Sequence, residues 1–212
     1  MKIIDHEILP EKYFMARLRE TPLRGFGQPL IYKDAHLQII EQFPPDLLVP
    51  PQRYVLKGTI KAILDLADAF EEKGVDIFAL RGALFFWLEG MNSKIDKPIP
   101  FLPPIVEEST EHGNCKVMLV NDGMHRVYAT LKRKRGINIV FASGLPKEYP
   151  YYASAMMDGW DAVQEFDELP DVFQKKEYRN PDNYKALFRQ FNVSFPGVQE
   201  QRKQSNPSNI KG

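Results

Sequence analysis

The segment from Lys116 to Ala142 constrains this chain most. Lys116-Val117-Met118-Leu119-Val120 is an apolar run of strand length that leads straight into Asn121-Asp122-Gly123. Val127, Tyr128 and Leu131 then recur at helical spacing, which predicts a helix from about Met124 to Arg135, closed by Gly136. Ile137 to Ala142 follows as a second core strand. A strand, a helix and a strand in succession bury a sheet face against a helix. The expected class is therefore α/β in the wider α+β sense, a mixed sheet with flanking helices.

The rest of the pattern is consistent with that class. Ile60, Ile63, Leu64, Ala67 and Phe70 predict an amphipathic helix over Thr59 to Lys73, with Gly74 as its C-cap glycine. Leu30 to Phe43 suits a strand or hairpin, and Ala83 to Leu88 and Phe101 to Val106 suit strands. Paired prolines at 44–45, 50–51 and 103–104 divide the first half into short elements. Asn180-Pro181-Asp182 reads as a helix start, and Tyr184, Leu187, Phe188 and Phe191 supply an apolar stripe after it. The expected organisation is an N-terminal extension over 1–44 packing on the core, a main domain over 45–198 with a C-terminal helical extension, and a polar, disordered tail over 199–212.

Composition limits the function classes. A hydrophobic share of 43% builds a core without disulfides, and the single cysteine, Cys115, excludes a disulfide framework and a multi-cysteine zinc site. We expect Cys115 to be a small, semi-buried thiol. His6, His36 and His112 show no metal-ligand spacing. Charged residues in Met1 to Glu7 and the lack of any apolar run near ~20 residues predict a cytoplasmic protein without a membrane span. Twenty-eight basic residues balance 28 acidic ones, so a DNA-binding role is not favoured by net charge. The basic run Lys132-Arg133-Lys134-Arg135 is a candidate DNA patch, although cations there also suit the negative end of a helix. The pattern assigns no oligomeric state.

The turn at 121–126 offers chemistry. The first amides of a helix lack intrahelical partners and carry partial positive charge. Gly123 permits a tight turn and close approach by a ligand, while His125 and Arg126 add a hydrogen-bond donor and a permanent cation. Together they form a plausible receptor for phosphate. Asp122 would repel phosphate unless Mg²⁺ bridged them; alternatively Asp122 is simply the helix N-cap. The aromatic stretch from Tyr149 to Trp160 either lines a pocket over the turn or packs as a loop.

Pro103-Pro104-Ile105-Val106, a hairpin, and then Val117 through Ala129 with Asn121-Asp122-Gly123-Met124-His125-Arg126 resemble the core of the ParB/sulfiredoxin superfamily. Leu48-Val49-Pro50-Pro51-Gln52 resembles that superfamily's early proline-containing motif, and the likeness covers about residues 45–145. Sulfiredoxins carry cysteine where this chain has Met124, a thioether that cannot act as their attacking thiolate. Partitioning ParB proteins bind CTP and carry a helical DNA-binding module downstream, where this chain has only the short 180–191 segment. The free serine kinases of the superfamily have an Asp-Gly-x-His-Arg turn, matched here by Asp122, Gly123, His125 and Arg126, with Met124 at the position of their extra histidine.

That resemblance implies nucleotide phosphates (ATP, ADP or CTP, with Mg²⁺) held by Gly123, Met124, His125 and Arg126. It implies a metal or nucleophile-orienting role for Asp122, and a glutamate base, for which Glu107 and Glu108 are the nearest candidates. The implied activity is a Mg²⁺-dependent phosphotransferase or nucleotide hydrolase acting on a small molecule. The alternative is a non-catalytic, nucleotide-gated or DNA- or protein-binding module.

Overall fold

The structure is a computed structural model and describes residues 1–198; the tail predicted to be disordered, 199–212, lies outside the described residues. In chain order the principal elements are β1 (Ile3–Leu9), α1 (Glu11–Arg19), β2 (His36–Phe43), β3 (Tyr54–Leu56), α2 (Lys57–Glu71), β4 (Ala83–Leu88), β5 (Ile99–Phe101), β6 (Ile105–Thr110), β7 (Lys116–Asp122), α3 (Met124–Lys132), β8 (Ile137–Ser143), β9 (Gln164–Phe166) and α4 (Phe191–Ser194).

The central sheet has the order β2-β8-β6-β7. β6 runs parallel to β8 and antiparallel to β7, and β2 closes antiparallel on β8. Alternation along these strands sends side chains to two cores. Val106, Val120 and Ile139 pack against Ile60 and Phe70 of α2 and Val127 of α3. Ile105, Val140 and Ala142 face the other way, onto Phe14 and Leu18 of α1, Tyr32 and Phe191. A second sheet, β1-β4-β5, shares both cores, because Leu84 and Phe86 join the first and Ala83 and Phe85 the second. The result is an α+β fold, as the sequence pattern predicts. Strand β2, within the first 44 residues, is a full member of the central sheet.

Several expectations need correction. The strand expected over 101–106 is two strands in different sheets, β5 and β6, because Pro103 and Pro104 cannot donate to a ladder. The helix α3 ends at Lys132, and Lys134 takes the left-handed conformation (φ 51°). Gly136 serves a close approach instead: a Cβ there would lie 2.7 Å from the carbonyl oxygen of Gln42. Gly74 does cap α2, at φ 74°, with its amide donating to Glu71 O.

Two further expectations fail near the ends of elements. Residues 180–191 form a turn, a short 3₁₀ segment at Tyr184–Leu187 and an isolated bridge from Leu23 to Arg189, with no continuous helix. Their apolar side chains still pack, as Tyr184, Leu187 and Phe188 close on Tyr151, Tyr152 and Leu119. Cys115 is exposed, because it sits in the β6–β7 hairpin turn beyond the sheet. Among the described residues, no helix is long and apolar enough to cross a membrane.

Candidate functional site: a cationic cleft at the end of β7

Strand β7 ends at Asp122, and Gly123 turns the chain into α3 at φ 92°. No L side chain takes that conformation cheaply. A Cβ on Gly123 would also stand 2.8 Å from Arg126 Nε and 3.0 Å from the Cα of Pro104. The predicted N-cap role of Asp122 is not realised, since no side chain caps α3 among the described residues. The helix therefore opens toward the space beside it with the charge of its first turn uncompensated by a cap.

That space is a cleft of about 700 Å³. Asp122, Gly123, Met124, His125 and Arg126 all line it, so the turn residues predicted to act together are brought together. The early proline motif arrives there as well. Val49 bridges to Leu119 in parallel, donating to Met118 O at 2.9 Å and accepting from Val120 N at 3.0 Å, which sets Pro51 and Gln52 against the cleft.

The individual side chains do not all behave as expected. His125 is not a cation: its Nε2 accepts from the amide of Leu56 at 3.1 Å, so the ring proton sits on Nδ1. Burial first, and then the neighbouring charge of Arg126, lower its pKa to about 4. Arg126 pairs through Nη2 with Asp122 and lies 5.4 Å over the ring of Phe101. Its Nε has no hydrogen-bond partner among the described residues. Met124 is buried in the core beneath the cleft.

Glu107 and Glu108 do not line the cleft. Glu107 is neither solvated nor free to take a proton from a ligand. Only 2% exposed, it accepts from Arg189 Nε at 3.0 Å and Nη2 at 2.9 Å, from the Tyr32 hydroxyl at 2.7 Å and from Asn121. Glu108 projects from the opposite face of β6 and pairs with Lys116 at 3.2 Å.

Sequence reasoning missed Lys176. It follows β9 in an irregular segment, yet it is 5% exposed and lines the cleft. Its ammonium donates to the hydroxyls of Tyr152 at 2.5 Å and Tyr151 at 3.2 Å. No local pattern around it marks a buried lysine; the tyrosines that hold it are more than twenty residues upstream. Both readings of the 149–160 stretch are realised. Tyr152 lines the cleft, while Trp160 packs on Tyr128 and donates to Leu48 O at 2.7 Å.

The basic run is largely neutralised. Lys132 pairs with Glu165, Arg133 with Asp68 and Arg135 with Asp76. A DNA patch needs cations free for phosphates. Three of the four cations in the run therefore already face acidic side chains at the surface.

A mixed sheet with helices on both faces, whose core strand ends in a glycine-opened helix beside a cleft lined by Arg126 and Lys176, is an α+β arrangement. The family model of the ParB CE domain matches residues 13–164, well over half of the chain, and the chain belongs to that family. No curated protein and no solved structure matches it.

Proposed function

We propose that the chain binds a nucleotide in this cleft, with the phosphates at the N-terminus of α3. One observation carries the reading: an uncapped helix start, the side chain of Arg126 and the buried Lys176 border the same cleft of about 700 Å³. The volume lies within the ordinary range for small-molecule sites, roughly 300 to 1,000 Å³. Phe101, Tyr54 and Ile63 give the cleft an apolar wall for the base. An arriving phosphate competes with Asp122 for the guanidinium of Arg126, which releases the carboxylate.

Among the described residues, no three His, Cys, Asp or Glu side chains gather into a metal cage. A Mg²⁺ ion would thus be held by the nucleotide's own phosphates plus one protein carboxylate, a common arrangement for this ion. Asp122 is the acidic residue that lines the cleft. Bound there, the ion would neutralise phosphate charge.

A second reading, phosphoryl transfer to a small molecule or nucleotide hydrolysis, rests on Asp122 as the orienting carboxylate, with its side chain 22% exposed. Glu107 and Glu108 do not contribute to it.

Calorimetry with ATP, ADP and CTP, each with and without Mg²⁺, tests the proposal. Saturable binding of at least one is expected, weakened about tenfold or more by Arg126→Ala and by Lys176→Gln. No heat with any nucleotide, or variants that bind like the parent, would defeat it. Phosphate release or a phosphorylated acceptor in the same mixtures separates turnover from binding alone.

A further inference from the structure

We infer that the outer edge of β2 pairs antiparallel with the same edge of a second copy of this chain, about a two-fold axis at Gln38.

Strand β2 ends the central sheet, with β8 as its one neighbour there. The direction of its backbone groups follows from β8. The amide of Val140 donates to Pro104 O at 2.9 Å, toward β6, so Ile139 and Phe141 turn their backbone groups toward β2. Ile40 and Gln38 lie opposite them and are satisfied there, while Leu37 and Ile39 point their amides and carbonyls away from the sheet. Among the described residues, those outward groups have no hydrogen-bond partner. The side chains agree. Leu37, Ile39 and Ile40 pack on the two cores yet stay half-buried, and His36 and Gln38 are exposed.

Exposed edges are ordinarily protected against pairing, and the other edges of this fold are. β1 has a bulge between Ile3 and Asp5, and pairing it with itself about His6 would set Asp5 against Glu7. β3, β5 and β9 have three residues each, and the outer side of β7 already takes Val49. In β2, residues 36–40 include no acidic residue, lysine, arginine or proline, and their register is unbroken. Arg19, which donates to Ala35 O at 2.9 Å, bounds this stretch on one side, and the bulge between Ile40 and Phe43 bounds it on the other.

This stretch complements itself. With Gln38 on the axis, Leu37 lies opposite Ile39 of the partner subunit, and His36 lies opposite Ile40 of the partner subunit. Each Leu37–Ile39 pair exchanges two backbone hydrogen bonds. The two Gln38 side chains meet at the closer, non-hydrogen-bonded pair, where each amide can donate to the other's carbonyl. No like charges are opposed, and the two-fold closes the assembly at two copies.

Sedimentation velocity from roughly 1 to 300 μM tests this, since so short a contact gives a weak, concentration-dependent dimer. The parent should dimerise within that range. Gln38→Lys and Gln38→Glu change an exposed side chain and should each weaken the dimer roughly 5-fold or more, and an equimolar mixture of the two should restore it. Hydrogen exchange locates the contact: the Leu37 and Ile39 amides should slow as concentration rises, while those of Gln38 and Ile40 are slow throughout. A dimer indifferent to both variants, or Leu37 and Ile39 amides that exchange alike at low and high concentration, overturns the inference. A parent that stays monomeric overturns it too and leaves the edge open to a strand of a different protein.

Discussion

His125 shows how far a residue's type can mislead about its role. A histidine beside an arginine at a helix start suggests a phosphate donor, but here the imidazole is a fixed acceptor that ties α3 to the β3–α2 junction. Its pKa of about 4 means that the unfolded chain takes up the proton first as pH falls below 6.5. Stability conferred by the neutral ring is thus present above about pH 6.5 and is lost progressively toward pH 4, by roughly 2 to 3 kcal/mol. Urea unfolding at pH 7 and pH 4.5 should show a larger loss for the parent than for His125→Gln, whose side-chain oxygen can still accept from Leu56. Equal losses in the two proteins would contradict this role. The sequence could not reveal it, because the amide donor is 69 residues away along the chain. Asp122, Gly123 and Arg126 were legible because a local turn assembles them, whereas Lys176 depends on partners brought in by the fold.

At the scale of elements, legibility followed uninterrupted periodicity. The strand–helix–strand unit β7-α3-β8, the helix α2 and the strand β4 were readable, since each has one clean pattern and buries one set of faces. Residues 101–106 were not, because composition favoured a strand while Pro103 and Pro104 forced the chain from one sheet into another. Residues 180–191 offered an apolar stripe and a cap, yet Arg189 draws that segment onto the sheet instead. Arg189 is 2% exposed, and besides Glu107 it donates to Leu187 O at 2.7 Å and Tyr149 O at 3.0 Å. Breaking such a pair leaves a buried charge unmatched. Arg189→Met should therefore cost about 3 to 5 kcal/mol in chemical denaturation, and adding Glu107→Gln should recover part of that. A loss below about 1 kcal/mol, or no recovery in the double variant, would show that the pair does not pin this segment.

Across the whole molecule, β6 and the residue just beyond it anchor the C-terminal layer through two glutamates, Glu107 and Glu111. Glu107 takes Arg189, and Glu111 takes Arg179, while Glu111 also accepts from the amide of Ala155 at 3.3 Å. These attachments hold Tyr152 and Lys176 against the turn at the end of β7. Lys176, Arg179 and Arg189 lie outside residues 13–164, so the family match covers the turn but not the lysine that completes the cleft. A formal net charge of zero does not reveal this arrangement, in which Arg126 and Lys176 line the cleft against a single acid, Asp122. The central claim is that phosphates meet the backbone where α3 begins. The most direct measurement is a nitrogen–proton correlation spectrum of the labelled protein, titrated with ATP and CTP in the presence of Mg²⁺. The account predicts saturable shifts of the Gly123, Met124, His125 and Arg126 amides at the affinity found by calorimetry; a bound nucleotide that leaves those four amides unmoved would contradict it.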